Sequence, residues 1–156
     1  KICNVPRVIC ATQEYLNENG IPNHPNDLKH HNSLLYQLHD IIYDTWEFIR
    51  HKEKIKLKLQ SNRTSNDAEL VRRWCTNSKG IAIKSSLDMA YDLLNEKLTR
   101  LLPEYKPTPT ELWLICPSRQ TITPAVRLLR EHLKTKCDGV YAQLIEKGIL
   151  DNAELE

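Results

Sequence analysis

Short apolar runs alternate along this chain with stretches of helical periodicity. Arg7-Val8-Ile9-Cys10-Ala11 has strand length and composition. After Thr12, Tyr15 and Leu16 begin a short helix that Gly20 ends. Asn26 or Asp27 is placed to cap a second short helix carrying Leu28, and Leu34-Leu35-Tyr36 reads as a strand. Residues 37–44 fit neither period. Ile55, Leu57 and Leu59 alternate with Lys54, Lys56 and Lys58, the period-2 mark of a half-buried strand with one solvated face.

Asn66-x-x-Glu69 resembles a capping box opening a helix with Leu70, Val71, Trp74 and Cys75 at helical spacing. Ile81-Ala82-Ile83 is a buried-looking strand. Ser85 or Ser86 caps the next helix, with Leu87, Ala90, Tyr91 and Leu94 expected inward. Leu98 to Leu102 predicts a further strand, closed by Pro103. Glu104 to Pro109 reads as a proline-bearing linker, and Leu112 to Cys116 as an apolar strand. Thr123 caps a helix with Pro124 at its first position and Val126, Leu129 and Leu133 on one face. Asp138-Gly139 is expected to break it, with Val140 to Lys147 forming another. This alternation predicts an α/β fold with a largely parallel sheet.

Composition narrows the classes. The 156 residues carry a formal charge of only +2, too mild to imply nucleic-acid binding by charge alone. Five cysteines with no C-x-x-C spacing argue against a disulfide framework or structural zinc, and for free thiols in a reducing cytoplasm. No apolar run approaches the ~20 residues that span a bilayer. The opening Lys1 to Arg7 does not read as a secretion signal.

Candidate chemistry gathers where strands run into helices: Cys10-Ala11-Thr12, Ser61 to Asn66, Lys84-Ser85-Ser86, and Cys116-Pro117-Ser118. If the strand ends share one edge, the helix N-termini there present unpaired N–H groups suited to a small anion. Thr12, Ser65, Asn66 and Ser85 would add hydroxyl and amide groups, and Lys84 a full positive charge. Taken singly, Thr12, Asn66 and Ser85 are more simply helix caps. His24, His30 and His31 lack the convergence a metal needs and read as surface histidines, while Cys10 and Cys116 read as inert thiols ending buried strands. With four glycines and no G-x-S-x-G or phosphate loop, neither a catalytic residue nor a cofactor or metal is expected.

The order of motifs resembles the effector-binding region of LysR-type transcription regulators over about residues 1–136. Arg7 to Leu16 is similar to the strand-to-helix entry of the family's second effector-binding subdomain, although its usual Ala-Ser-Pro is Ala11-Thr12-Gln13 here. Asn19 to Leu28, Ser33 to Tyr36, Trp46-Glu47-Phe48, Ser65 to Glu69, Gly80 to Ser85 and Leu98 to Pro103 follow in the family's order. Leu112 to Pro117 and Pro124 to Leu133 look like the return into the first subdomain. The resemblance implies a periplasmic-binding-protein-like (type 2) α/β fold with Rossmann-like lobes, a mixed sheet and an incomplete first lobe. Residues 1–9 would be a crossing strand, 10–103 the second subdomain, 104–136 the return strand and helix, and 137–156 a C-terminal extension. It further implies sensing of a small, anionic effector, with Thr12, Ser65, Asn66, Lys84, Ser85 and Pro117 as effector-binding residues. The full-length protein would be a dimer or tetramer, touching DNA only through a winged helix-turn-helix outside this chain and no membrane. A solute-binding protein and an enzyme using the same crevice are the competing readings.

Overall fold

The computed structural model describes all 156 residues, Lys1–Glu156. In chain order they form β1 (Cys3–Val5), β2 (Arg7–Ala11), α1 (Gln13–Asn19), a 3-10 turn (Pro25–His30), β3 (Ser33–Leu38), β4 (Ile41–Ile42), β5 (Thr45–Arg50) and β6 (Glu53–Lys58). Next come β7 (Arg63–Ser65), α2 (Ala68–Thr76), β8 (Ile81–Ser85), α3 (Ser86–Leu94), β9 (Thr99–Leu101), β10 (Lys106–Pro107), β11 (Thr110–Leu112) and α4 (Pro124–Glu146).

The central sheet is built from β4, β3, β8, β2 and β9 in that order, with β7 also beside β3. β2, in the interior of the sheet, is buried on both faces, which is why it reads as an unbroken apolar run rather than an alternation. Val8 and Cys10 join α2, α3 and α4 in one core with Leu34, Val71, Met89, Tyr141 and Leu144. Ile9 and Ala11, one residue out of phase, join Tyr15, Leu28, Leu35, Trp46 and Phe48 on the other side. Three strands, β10, β5 and β6, make a separate antiparallel sheet, and β1 pairs β11. Lys56 and Lys58 face solvent from β6 and pair with Glu47 and Asp44, so the alternating lysines are a solvated face.

Several expectations need correcting. The central sheet is mixed rather than largely parallel: β3 runs parallel to β7 and β8, but β2 is antiparallel to both β8 and β9. The stretch expected to be only a linker contributes β10, which pairs β5. Beyond Leu112 the apolar run leaves the strand, because no neighbouring strand offers it hydrogen bonds; Ile115 is 85% exposed. α4 runs unbroken through Asp138 and Gly139 for 23 residues. Gly139 is not in the left-handed region, so it merely costs ~1 kcal/mol relative to alanine in a helix. Tyr91 points outward, and Met89, Asp92 and Leu93 take the inner face of α3. Leu129 is exposed, and Val126 and Leu133 are only partly covered. The short turn is capped by His24, not by Asn26 or Asp27: its ring accepts from Asn26 N–H, and the Asp27 carboxylate accepts from His24 N–H.

Candidate functional site

The sheet directions decide which candidate residues meet. Because β2 opposes β8, Arg7 at the start of β2 lies across from Ser85 at the end of β8. β3 and β7 point the same way as β8, with Tyr36 opposite Ser65. The ends of β7 and β8 therefore share one edge with the beginning of β2. The junction at Thr12 lies at the opposite edge, and the one at Pro117 lies outside the sheet on an exposed segment. Two of the four junctions gather; the expectation of a common edge for all four fails because one strand is antiparallel and one is not a strand.

A cavity of about 320 Å³ opens at the edge where Arg7 meets Ser85. Arg7, Lys84, Ser85 and Thr110 supply its polar lining, and Tyr36, Tyr43, Trp46, Val71 and Ile83 much of its apolar wall. Such a volume sits at the low end of the ~300–1,000 Å³ typical of small-molecule sites. The strongest electrostatic feature is Arg7. Its guanidinium is half-buried and forms no ion pair, and burial lowers its pKa from the ordinary arginine value. An arginine stays protonated at neutral pH even so, which leaves a partly desolvated positive charge facing the cavity. Lys84 is held differently. Its Nζ donates to the Ala68 carbonyl at 2.7 Å and lies 3.4 Å from the Asp88 carboxylate.

The hydroxyl groups expected at the site are largely spent as caps. Ser85 Oγ accepts from Leu87 N–H and Asp88 N–H, and the Ser86 N–H donates to the Pro6 carbonyl. Those contacts occupy the donors at the start of α3, so its N-terminus has little left for a ligand. At α2 the cap is Asp67 rather than Asn66: its carboxylate accepts from Glu69 N–H and Leu70 N–H. An anion is thus already installed at that helix end. Ser65 Oγ accepts from Asp67 N–H, and Asn66 is exposed. Thr12 is buried, accepting from Tyr15 N–H and contacting Ser78 Oγ at 2.6 Å. Of the residues named from sequence, Lys84 and Ser85 line the cavity, Ser65 and Asn66 lie on its edge of the sheet, and Thr12 and Pro117 lie elsewhere.

The sequence reading missed Arg7, Tyr36, Tyr43, Trp46 and Thr110 as cavity lining. Arg7 carried a usable signal, being a cation placed directly before four buried residues. Trp46 and Thr110 carried none, since only folding brings β5 and β11 to this edge.

Neither histidine nor cysteine chemistry assembles. His31 is half-buried rather than a surface residue, its Nδ1 3.0 Å from the Tyr15 hydroxyl. No group of three His, Cys, Asp or Glu side chains converges to hold a metal. Cys10 is wholly buried; its hydrogen bond with Cys75 and its burial push the thiol well above its ordinary pKa, which suppresses the nucleophilic thiolate. Cys116 is half-buried outside any strand. No helix is long and apolar enough to cross a membrane.

Comparison with known proteins agrees with this architecture. The LysR substrate binding domain family matches residues 1–138. The HTH-type transcriptional regulator DmlR of Escherichia coli K12 is 28% identical over 134 residues, 86% of this chain and 43% of its own length. The HTH-type transcriptional activator TtdR of Escherichia coli strain 536 is 32% identical over 109 residues, 70% of this chain and 35% of its own length. The chain thus spans less than half of either relative. Among solved structures, the regulatory domain of CrgA from Neisseria meningitidis superposes with a TM-score of 0.66 at 21% identity, over 86% of this chain and 66% of that one. The regulatory domain of AphB from Vibrio vulnificus gives 0.62 at 25% identity, over 70% and 54%. The fold is that of LysR regulatory domains, periplasmic-binding-protein-like with mixed sheets.

Proposed function

Because this chain belongs to the LysR substrate-binding domain family, we propose that its open cavity receives a small organic anion whose presence the longer polypeptide senses. The observation that carries the reading is Arg7, a half-buried cation with no acidic partner, facing a cavity of about 320 Å³. An uncompensated charge in a partly desolvated place costs stability, and a carboxylate arriving there removes the cost while forming a bidentate hydrogen-bonded pair. Lys84 lines the same cavity with its charge already engaged by Asp88, and Ser65 and Asn66 lie on the same edge of the sheet. Thr12 and Pro117 take no part, because they lie away from the cavity.

In this reading the cavity lies at the meeting of two lobes. Residues 1–9 contribute Arg7, residues 104–136 contribute Thr110, and residues 10–103 form the second lobe with the remaining walls. Residues 137–156 carry the second half of α4 and the C-terminal segment, and pack Tyr141, Leu144 and Leu150 into the core. Ligand binding favours one lobe arrangement over another, and that difference in affinity is what reaches the DNA-reading part and the dimer or tetramer of the full-length protein. In this reading the protein works in the cytoplasm and acts by binding its effector rather than by catalysis, as the transcription regulators it resembles suggest.

Thermal unfolding of this chain with a panel of small carboxylates tests the proposal. At a hundred times the dissociation constant a ligand stabilises by about 2.7 kcal/mol. For a chain of this size that raises Tm by roughly 5–10 °C. Arg7→Gln should abolish the rise. A folded chain that responds to no carboxylate, or an Arg7→Gln variant that responds unchanged, overturns the reading.

A further inference from the structure

The cavity's charge count and its walls select among anions. Two cations line it, yet Lys84 Nζ already sits 3.4 Å from Asp88 and donates to the Ala68 carbonyl. One positive charge, on Arg7, is left uncompensated. That matches a single carboxylate; a second one would be desolvated against apolar wall without a partner. The two aliphatic hydroxyls offer a polyhydroxylated ligand little, which leaves the phenol groups of Tyr36 and Tyr43 as the neutral donors of the lining. Ser85 Oγ is engaged by two backbone N–H groups, and Thr110 Oγ1 donates to the Val5 carbonyl at 3.5 Å.

Part of the wall is flat and aromatic, beside the aliphatic Leu34, Ala68, Val71 and Ile83. Tyr36 on β3 and Tyr43 just beyond β4 stack with ring centroids 6.1 Å apart and planes 20° from parallel. Both line the cavity, as does the buried Trp46. Tyr43 is 47% exposed, and Leu38, Ile41 and Ile42 of the same hairpin are also exposed. The hairpin therefore holds apolar surface in water beside the opening. A planar ring laid against Tyr43 would cover part of that surface and extend the stack begun by Tyr36.

We propose that the effector is a monoanionic acid with a flat, apolar body of one or two rings, its carboxylate on Arg7 and its ring against Tyr43. This rests on the anion-binding reading above.

Titration calorimetry on the full chain with benzoate, 2-naphthoate, succinate and benzamide tests it. Benzoate or 2-naphthoate should bind at least about tenfold more tightly than succinate, and benzamide, which keeps the ring but not the charge, at least about tenfold more weakly than benzoate. Tyr43→Ala should weaken 2-naphthoate by up to about tenfold and leave succinate unchanged. Tyr43→Leu, which keeps apolar bulk in the exposed position, should lose less. If succinate binds more tightly than either aromatic acid, or if Tyr43→Ala and Tyr43→Leu leave 2-naphthoate unaffected, the aromatic class is wrong while the anion site stands. If no acid binds to the folded chain, the anion site itself is wrong and this inference goes with it.

Discussion

Arg72 on α2 clamps Asp92 on α3, with Nη2 and Nε 2.7 and 2.9 Å from the same carboxylate oxygen. The Asp92 side chain is 1% exposed, while that of Arg72 keeps 25% of its surface in water. The pair locks together the two helices whose N-termini flank the cavity. Removing one partner from a buried pair typically costs about 3–5 kcal/mol, because the other charge is stranded. Arg72 can turn to solvent and Asp92 cannot. Arg72→Met should therefore cost the larger amount, about 3 kcal/mol or more, and Asp92→Leu less. The double variant Arg72→Met/Asp92→Leu should be more stable than Arg72→Met alone. Urea unfolding of the four proteins as a cycle measures this; strictly additive losses would mean the pair is not coupled.

A second ion pair predicts a pH dependence. Arg100 on β9 holds Glu154 in two parallel bonds of 2.9 and 2.8 Å, and Lys106 Nζ adds a third contact at 2.9 Å. Burial alone would raise the Glu154 pKa, but the hydrogen bonds from Arg100, Lys106 and the Asp151 N–H outweigh it and hold it below the ordinary 4.5. A depressed folded-state pKa contributes stability that is fully present above 4.5 and is lost as pH falls through the folded value. The C-terminal segment should thus loosen on acidification below about pH 4.5. Glu154→Gln should lose stability at pH 7 and show a flatter decline from pH 5 to 3. Hydrogen exchange at residues 149–156 should report the release in both cases.

Two glycines should respond to alanine with opposite sign. A Cβ on Gly80 would fall well inside contact distance of the Asn32 carbonyl oxygen, the acceptor for Ile81 N–H that holds β8 beside β3. Gly80→Ala should destabilise by about 2 kcal/mol or more. A Cβ on Gly139 meets nothing within 4 Å, in mid-helix. Gly139→Ala should stabilise by about 0.5–1 kcal/mol. Denaturant midpoints at constant slope provide the measurement.

Arg7 predicts a trade between stability and binding. If its uncompensated charge serves a ligand, Arg7→Met should raise the stability of the unliganded chain by about 1 kcal/mol while removing the response to carboxylates. A destabilised Arg7→Met would place a structural partner on the guanidinium in solution.

Much of the element order was legible from hydrophobic period, because local burial leaves a local trace. β2, β8, α2 and α3 each carry their pattern within a dozen residues, and Pro124 after Thr123 marks the start of α4 as a local backbone preference must. Gly139 misled because a glycine's helix cost of about 1 kcal/mol is small beside the packing of Tyr141 and Leu144, which continue the helix. The resemblance in motif order supplied the family without fixing the cavity's lining. What the chain could not disclose locally was direction. A strand reads the same whether its neighbour runs with it or against it, so nothing in Arg7 to Ala11 reveals that β2 opposes β8. That single choice, made by hydrogen bonding between residues some seventy apart, sends Thr12 to the far edge and brings Arg7 opposite Ser85. The caps were present in the sequence; the charge that remains free after every cap is satisfied exists only in the folded chain.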